Sequence, residues 1–476
     1  MHDCVMDRRS AGLASGILLL LVALAGFGCG GSLTKARAAS PAPSEKALVS
    51  TATAGPTDVA AEAYVWGSPL VISMRTAKEF AQLFGVNRLY NEQQLSDPGI
   101  RIIVAPNVDT LYSVALLDLR EGPLVLTVPA IHDRYYCYQF LDAYTEAFAY
   151  IGTRATKGVA GSRLVVPPGW TGTVPAGDLV VRSSTPVLFL LGRFLVSGAD
   201  DLPAARAVMA QVKLEPLQTA SVTPAPTLPA WGTANGSPQD VPAAGAAFFD
   251  ELGEALAVSP PSSPTDRAAL ARFAALGIGP GSQPAARCSA AQCAALARGV
   301  VKGQARVRNF LHTSVHEVNG WQQWPRLGDY GGDFLLRAAV AQTVWGANVP
   351  EEAVYLRSQR DARGDSYTGR HTYVLHFAAG GLPAAKAFWS LTVYAADGFM
   401  VENPIHRYAI GDRTPGLEVN RNGSLDLYLS HDSPKGHEAN WLPVPAGSFT
   451  LILRIYLPAR AVVDGTYKAP AVDPTG

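Results

Sequence analysis

The chain has 476 residues, a mass of 50.2 kDa, and 39 basic against 39 acidic side chains. Only 16% of its residues are charged while 48% are hydrophobic, which excludes a chain disordered by composition. The absence of a basic excess also argues against nucleic acid or another polyanion as a partner, and leaves a small ligand open.

Arg8 and Arg9 precede an uncharged run from Ser10 to Thr34. Its apolar centre, Ile17 to Gly28, and the small residues around Ala38 have the pattern of a secretory signal peptide over residues 1–38, cleaved before Ala39. Lipidation at Cys29 and a retained anchor remain open, since the run is long enough to span a bilayer. The expected location is secreted or periplasmic, with membrane attachment only through an uncleaved or lipidated N-terminus. Removing the segment takes away more basic than acidic residues, so the mature chain is slightly acidic.

Residues 39–60 are rich in Ala, Pro, Ser and Thr and read as a flexible leader. From Ala61 the apolar spacing is helical, with Pro69 as an expected bend. Short aliphatic and aromatic runs broken by Pro, Gly and Asp then predict strands from Arg101 onward, giving a first β domain over 61–200. Residues 201–355 are mainly helical in pattern, beginning with AARAVMAQVKL and interrupted by a Pro- and Thr-rich crossing. Within this region, Ser289 and Gln292 form a capping-box pattern for a helix running to about Val318. Cys288 and Cys293 flank that box, and an oxidising compartment permits a disulfide between them; an ordinary apolar staple is the alternative. Strand patterns return over 356–476. In the last of them Phe449, Leu451, Leu453, Ile455 and Leu457 alternate onto one face, opposite Thr450, Arg454 and Tyr456. The fold class expected is therefore α+β and multidomain.

No nucleophile elbow, zincin, phosphate-loop or dinucleotide motif occurs, and no cofactor or metal is expected. His312 and His316 stand four apart on an expected helix, but the zincin order fails. More informative is Asn107-Val108-Asp109-Thr110-Leu111-Tyr112 between two strands. Asn107 and Asp109 can cap the turn, or present an amide, an acid and a phenol to a cleft. Downstream, Arg134, Tyr136, Tyr138, Phe140 and Asp142 share one strand face, and Tyr135, Cys137, Gln139 and Leu141 the other. Cys137 reads as a buried free thiol. Such aromatic faces suit a small polar or glycan-like ligand, or simply a sandwich core. A hydrolytic reading takes Asp109 and Asp142 as catalytic acids, with Arg134 or Arg407 stabilising negative charge. A non-enzymatic ligand-binding or envelope-associated protein is the alternative. Oligomeric state is not legible.

The strings AYVWGSPL from Ala63, APNVDTLYSVALLDLREGPLVLTVP from Ala105 and RYYCYQFLDAYTEAFAYIGTR from Arg134 resemble the bacterial domain of unknown function 1254. AFWSLTVY from Ala387, NPIHRYAIGDR from Asn403 and NWLPVPAGSFTLILRIYLP from Asn440 resemble domain of unknown function 1214, which commonly follows it in tandem. The resemblance implies an immunoglobulin-like N-terminal sandwich, a helical middle domain and a jelly-roll-like C-terminal sandwich. It implies no reaction. Asn107, Asp109, Tyr112, Arg134, Asp142, Trp389, Arg407 and Trp441 fall on its patterned positions, with Asn107, Tyr112, Trp389, Arg407 and Trp441 as candidate ligand contacts.

Overall fold

The computed structural model describes residues 54–99, 105–217, 237–324 and 326–475. The signal-like segment, residues 39–53 of the leader, the start of the strand run at Arg101 and most of the Pro- and Thr-rich crossing lie outside the described residues. Within them the protein is a multidomain α+β structure with seven α-helices and four mostly antiparallel sheets.

Pro56 sits in the first turn of α1 (Pro56–Phe84), where its missing N–H costs nothing. The helix continues through Pro69 and ends at Gly85, whose φ of 82° closes the last turn. Strands β1 (Tyr90–Asn91), β2 (Thr110–Asp118), β3 (Leu124–Val128), β4 (Tyr136–Asp142), β5 (Ala147–Gly152), β6 (Gly161–Val166), β7 (Leu179–Arg182) and β8 (Val187–Leu195) follow. After α2 (Leu202–Met209) comes β9 (Lys213–Pro216). The expected helix over AARAVMAQVKL thus ends early: Lys213 and Leu214 pair with Thr127 and Leu126, and the sheet claims them. One sheet has the order β1-β2-β8-β4-β5, and the other β7-β6-β3-β9. Leu111, Leu126, Tyr136, Tyr138, Phe140, Leu190 and Phe194 join one apolar core of this first β unit.

Helices α3 (Phe248–Val258), α4 (Pro264–Phe273), α5 (Ala290–Thr313) and α6 (Phe334–Thr343) form the middle of the chain. Their spatial centre is α1, which packs on α3, α5 and α6. Gly299 and Gly303, one turn apart on α5, let the two helices approach closely. A Cβ there would come within 2.3 Å of the Ala60 Cβ and 2.6 Å of the Tyr64 ring. Ser289 and Gln292 close the capping box at the start of α5, and Cys288 and Cys293 are disulfide-bonded across it, with Cα atoms 5.4 Å apart. The helix stops at Thr313, and His316 opens β10 (His316–Val318). His312 and His316 therefore do not share a helix face, and no group of metal-ligating side chains forms among the described residues.

The second β unit contains β11 (Trp321–Gln323), β12 (Ala353–Ser358), β13 (Tyr373–Phe377), β14 (Ala385–Ala395), β15 (Ala409–Gly411), β16 (Leu425–Ser430), β17 (Trp441–Pro443) and β18 (Phe449–Pro458). It ends with α7 (Arg460–Val463) and β19 (Val472–Pro474). One sheet runs β10-β11-β12-β18-β14-β15 and the other β17-β16-β13-β19. Phe449, Leu451, Leu453 and Ile455 enter this unit's core as their alternation requires. Leu457 does not. Its φ of 49° turns the strand end over, and the side chain joins Tyr135, Phe388 and Tyr456 instead.

One surface positions the site. The face of β8 turned away from its own sandwich bears Val187, Phe189 and Leu191, which join the core built around α1. Farther along the same face, Leu195 joins Ala353, Phe388 and Tyr456 of the second β unit. The helical layer and the C-terminal sheet therefore share this one face, and Arg193 lies between the two parts.

Candidate functional site

The seam between the two β units is polar at its centre. In register across the first sheet, Arg193 on β8 lies between Tyr112 on β2 and Cys137 on β4. In register across the facing sheet, Arg454 on β18 lies between Tyr355 on β12 and Ser390 on β14. Each guanidinium thus sits on an inner strand, held from both sides.

Both arginines are 2% exposed, and both are satisfied by neutral groups. Arg193 donates to Gln139 Oε1 and Asn348 Oδ1 at 3.2 Å each and to the Gly346 carbonyl at 2.8 Å. Arg454 donates to Thr392 Oγ1 at 2.9 Å and to the Ala105 carbonyl at 3.0 Å. Neither forms an ion pair with a carboxylate among the described residues. Buried charges are ordinarily paired, because an unpaired one retains much of its desolvation cost.

The nearby carboxylates are already engaged. Asp109 accepts from Ser390 Oγ at 2.5 Å and from Arg413 at 2.6 Å, joining the two β units. Glu352 accepts from the Tyr135 hydroxyl at 2.8 Å and from Arg154 at 2.6 Å, making a second tie. Glu92 accepts from the Tyr112 backbone N–H at 3.0 Å; burial pushes its carboxyl up to about 8, so it carries little negative charge at neutral pH.

Tyr112 completes the arrangement. Its ring lies 5.7 Å from the Arg193 guanidinium, and burial raises the phenol to about 12, against the opposing pull of Arg193. Its hydroxyl makes no hydrogen bond among the described residues. Tyr456 and Tyr355 face the same space, accepting from Asn107 and Asn348 at 3.0 Å each. The Cys137 thiol is free and buried, and burial raises it to about 12, so it is an unreactive neutral thiol at neutral pH.

The sequence-predicted residues separate into those that reach the seam and those that do not. Asn107, Asp109 and Tyr112 reach it. Asn107 also caps the turn, accepting from the Asp109 N–H at 2.7 Å, while its amide donates to the Tyr456 hydroxyl across the seam. Asp142 lies elsewhere: it caps the β4–β5 turn through the N–H groups of Tyr144 and Glu146 and the Ser184 hydroxyl. It pairs with Leu188, whereas Asp109 accepts at its carbonyl from Val196, just past the other end of β8. Seven strand positions separate Leu188 from Leu195, roughly 23 Å, so the two carboxylates do not come within the ~5–10 Å a glycosidase pair requires. Arg134 spends its Nη donors chiefly on Asp201, at 3.0 Å each, and on the Leu195 carbonyl. Arg407 holds the carbonyls of Glu438, Ala439 and Trp441. Trp389 belongs to the C-terminal core, and the Trp441 indole donates to the Ser430 carbonyl at 3.0 Å. None of these last three lines the seam.

Arg193, Arg454, Tyr355, Tyr456, Glu352 and Arg413 also reach the seam and stand outside the sequence-predicted set. A signal for two of them was available: a lone arginine interrupts each of the apolar runs VLFLLGRFL and FTLILRIYLP.

Fold and site together define a multidomain α+β protein whose two β units enclose a buried, arginine-bearing polar seam. Two family models match the chain, "Protein of unknown function (DUF1254)" over residues 86–216 and "Protein of unknown function (DUF1214)" over residues 352–460. The chain belongs to the family in which these two domains occur in tandem. No curated protein matches it. Among solved structures, it is similar to the VPA0106 protein from Vibrio parahaemolyticus, with a TM-score of 0.68 and 23% identity over 89% of this chain and 100% of that one, a likeness of fold. A weaker similarity, with a TM-score of 0.42 and 14% identity, links it to an uncharacterized protein from Burkholderia cenocepacia, over 87% of this chain and 88% of that one.

Proposed function

We propose that the protein is a non-enzymatic binder of a small anion, held in the seam between its two β units by Arg193, Arg454 and Tyr112. The observation that carries this reading is the pair of buried guanidiniums that, among the described residues, are satisfied only by neutral acceptors. A carboxylate or phosphate oxygen adds charge complementarity that amide and carbonyl oxygens lack. The hydrolytic reading finds no comparable support, because Asp109 and Asp142 are far apart and their oxygens are engaged in structural bonds.

Export belongs to the same proposal, supported by the signal-like N-terminal pattern and by the Cys288–Cys293 disulfide, which an oxidising compartment preserves. So does the finer view of the two β units as immunoglobulin-like and jelly-roll-like sandwiches, each supported by its pair of mostly antiparallel sheets.

The test is a thermal-shift and calorimetric screen of phosphate, sulfate, acetate, succinate and benzoate. At least one should bind saturably to the wild type and lose about tenfold or more in affinity in Arg193→Gln and Arg454→Gln. If no anion binds, or both variants bind as the wild type does, the reading is wrong.

A further inference from the structure

Arg357 stands on β12 two positions beyond Tyr355, on the strand face that bears Tyr355 and meets the first β unit. Tyr355 pairs in register with Arg454, and Arg357 pairs with Ile452, which makes Arg357 and Arg454 diagonal neighbours on adjacent strands, about 7–8 Å apart at the backbone. The surroundings of the two arginines differ. Arg454 is fully enclosed and hydrogen-bonded. Arg357 is partly exposed, and its Nε is buried without a hydrogen-bond partner among the described residues. It forms no ion pair among the described residues, and burial alone lowers its pKa from the usual arginine value.

Arg357 also lines a small pocket with Ala105, Tyr394, Gly398, Thr450 and Ile452. The inner wall of that pocket is shared with the seam. The Ala105 carbonyl accepts from Arg454, and the Tyr394 ring lies 5.6 Å from the Arg454 guanidinium. Three arginines that make no ion pair among the described residues therefore run from a partly exposed rim inward: Arg357, then Arg454, then Arg193 across the seam.

Resting on the reading of the seam as an anion site, we infer that Arg357 is its entry residue, its charge drawing a small anion to the rim of the seam, where Arg454 is the next cation inward. A rim charge of this kind acts at a distance through its field, so it governs the rate of association and its salt dependence more than the lifetime of the complex. It requires a positive charge rather than a guanidinium fork, so lysine can replace it. At Arg454, where geometry matters, lysine cannot.

Stopped-flow tryptophan fluorescence of the full chain, with calorimetry supplying Kd independently of any optical change, tests this with inorganic phosphate and succinate as probes. In Arg357→Gln the association rate should fall three- to tenfold, the dissociation rate should change less than twofold, and the ionic-strength dependence of association should flatten. Arg357→Lys should restore wild-type association, whereas Arg454→Lys should remain weak. A purely structural role would move none of these in that pattern. Binding by the wild type with unchanged association in Arg357→Gln, or failure of Arg357→Lys to restore it, overturns the entry role and leaves the seam reading standing. If neither probe binds the wild type, the seam reading falls and the entry role falls with it.

Discussion

Tyr112 and Arg193 are register partners on neighbouring strands, and the Arg193 guanidinium lies 5.7 Å from the Tyr112 ring. The phenol therefore stands against a buried cation while its hydroxyl has no hydrogen bond of its own among the described residues. That combination makes Tyr112 the most informative single position in the seam.

Tyr112→Phe removes an oxygen that satisfies no described protein group, so stability by chemical denaturation should stay within about 0.5 kcal/mol of wild type. Affinity for the bound anion should fall about tenfold, the size of one hydrogen bond to a charged group at ~1.5 kcal/mol. A large loss of stability with unchanged affinity would assign Tyr112 to the core instead.

The contact between Asp109 and Arg413 joins a loop before β2 to the loop after β15. Asp109→Ala leaves Ser390 without its acceptor and Arg413 with only the Val196 carbonyl and Asp412, and should cost about 1–3 kcal/mol, discounted because Arg413 is partly exposed. Arg413→Ala should cost less. In a double-mutant cycle the two should couple by about 1 kcal/mol or more. Additive losses would show that the pair does not hold the units together.

Glu92 predicts a pH dependence. Its folded-state pKa, pushed by burial to about 8 from 4.5, means that the native protein binds more protons than the unfolded chain between those values. Its contribution to stability is therefore present below pH 4.5, declines as pH rises to about 8, and is flat above. Glu92→Gln keeps an acceptor for the Tyr112 N–H and cannot ionise. Its stability relative to wild type should grow across that window, by at most about 4 kcal/mol at pH 8. A pH-independent difference would show that Glu92 does not titrate there.

Reduction of Cys288–Cys293 opens a short loop, sequence separation 5, so unfolding should become easier by only about 1–2 kcal/mol. The Ser289–Gln292 capping box uses no cysteine atom, so it should still start α5 after reduction. Dithiothreitol should lower Tm by a few degrees and leave anion binding unchanged. Loss of binding on reduction would tie the helical layer to the site.

Much of the architecture was legible from period and punctuation. The strand runs after Thr110, the capping box at Ser289 and the alternation from Phe449 to Ile455 are local patterns, and local backbone preference decides them. Where expectation failed, a long-range partner had intervened: β3 draws Lys213 and Leu214 into a strand, and the Leu457 N–H donates to the Glu352 carbonyl where a left-handed backbone turns its side chain over. The α5 helix also ends at Thr313, before His316 enters β10.

The site was less legible than the fold for the same reason. On β4 the two faces could be written down, but not which one met a second unit. Tyr136, Tyr138 and Phe140 turned inward to the sandwich core, while Tyr135 and Cys137 met the C-terminal sheet. By itself the sequence determined the α+β class, the tandem-domain resemblance, the low charge density and the alternation of each strand. Only the tertiary structure decided which charges are buried without a carboxylate partner. That property depends on what faces Arg193 and Arg454 across the seam, and their facing partners are hundreds of residues away along the chain.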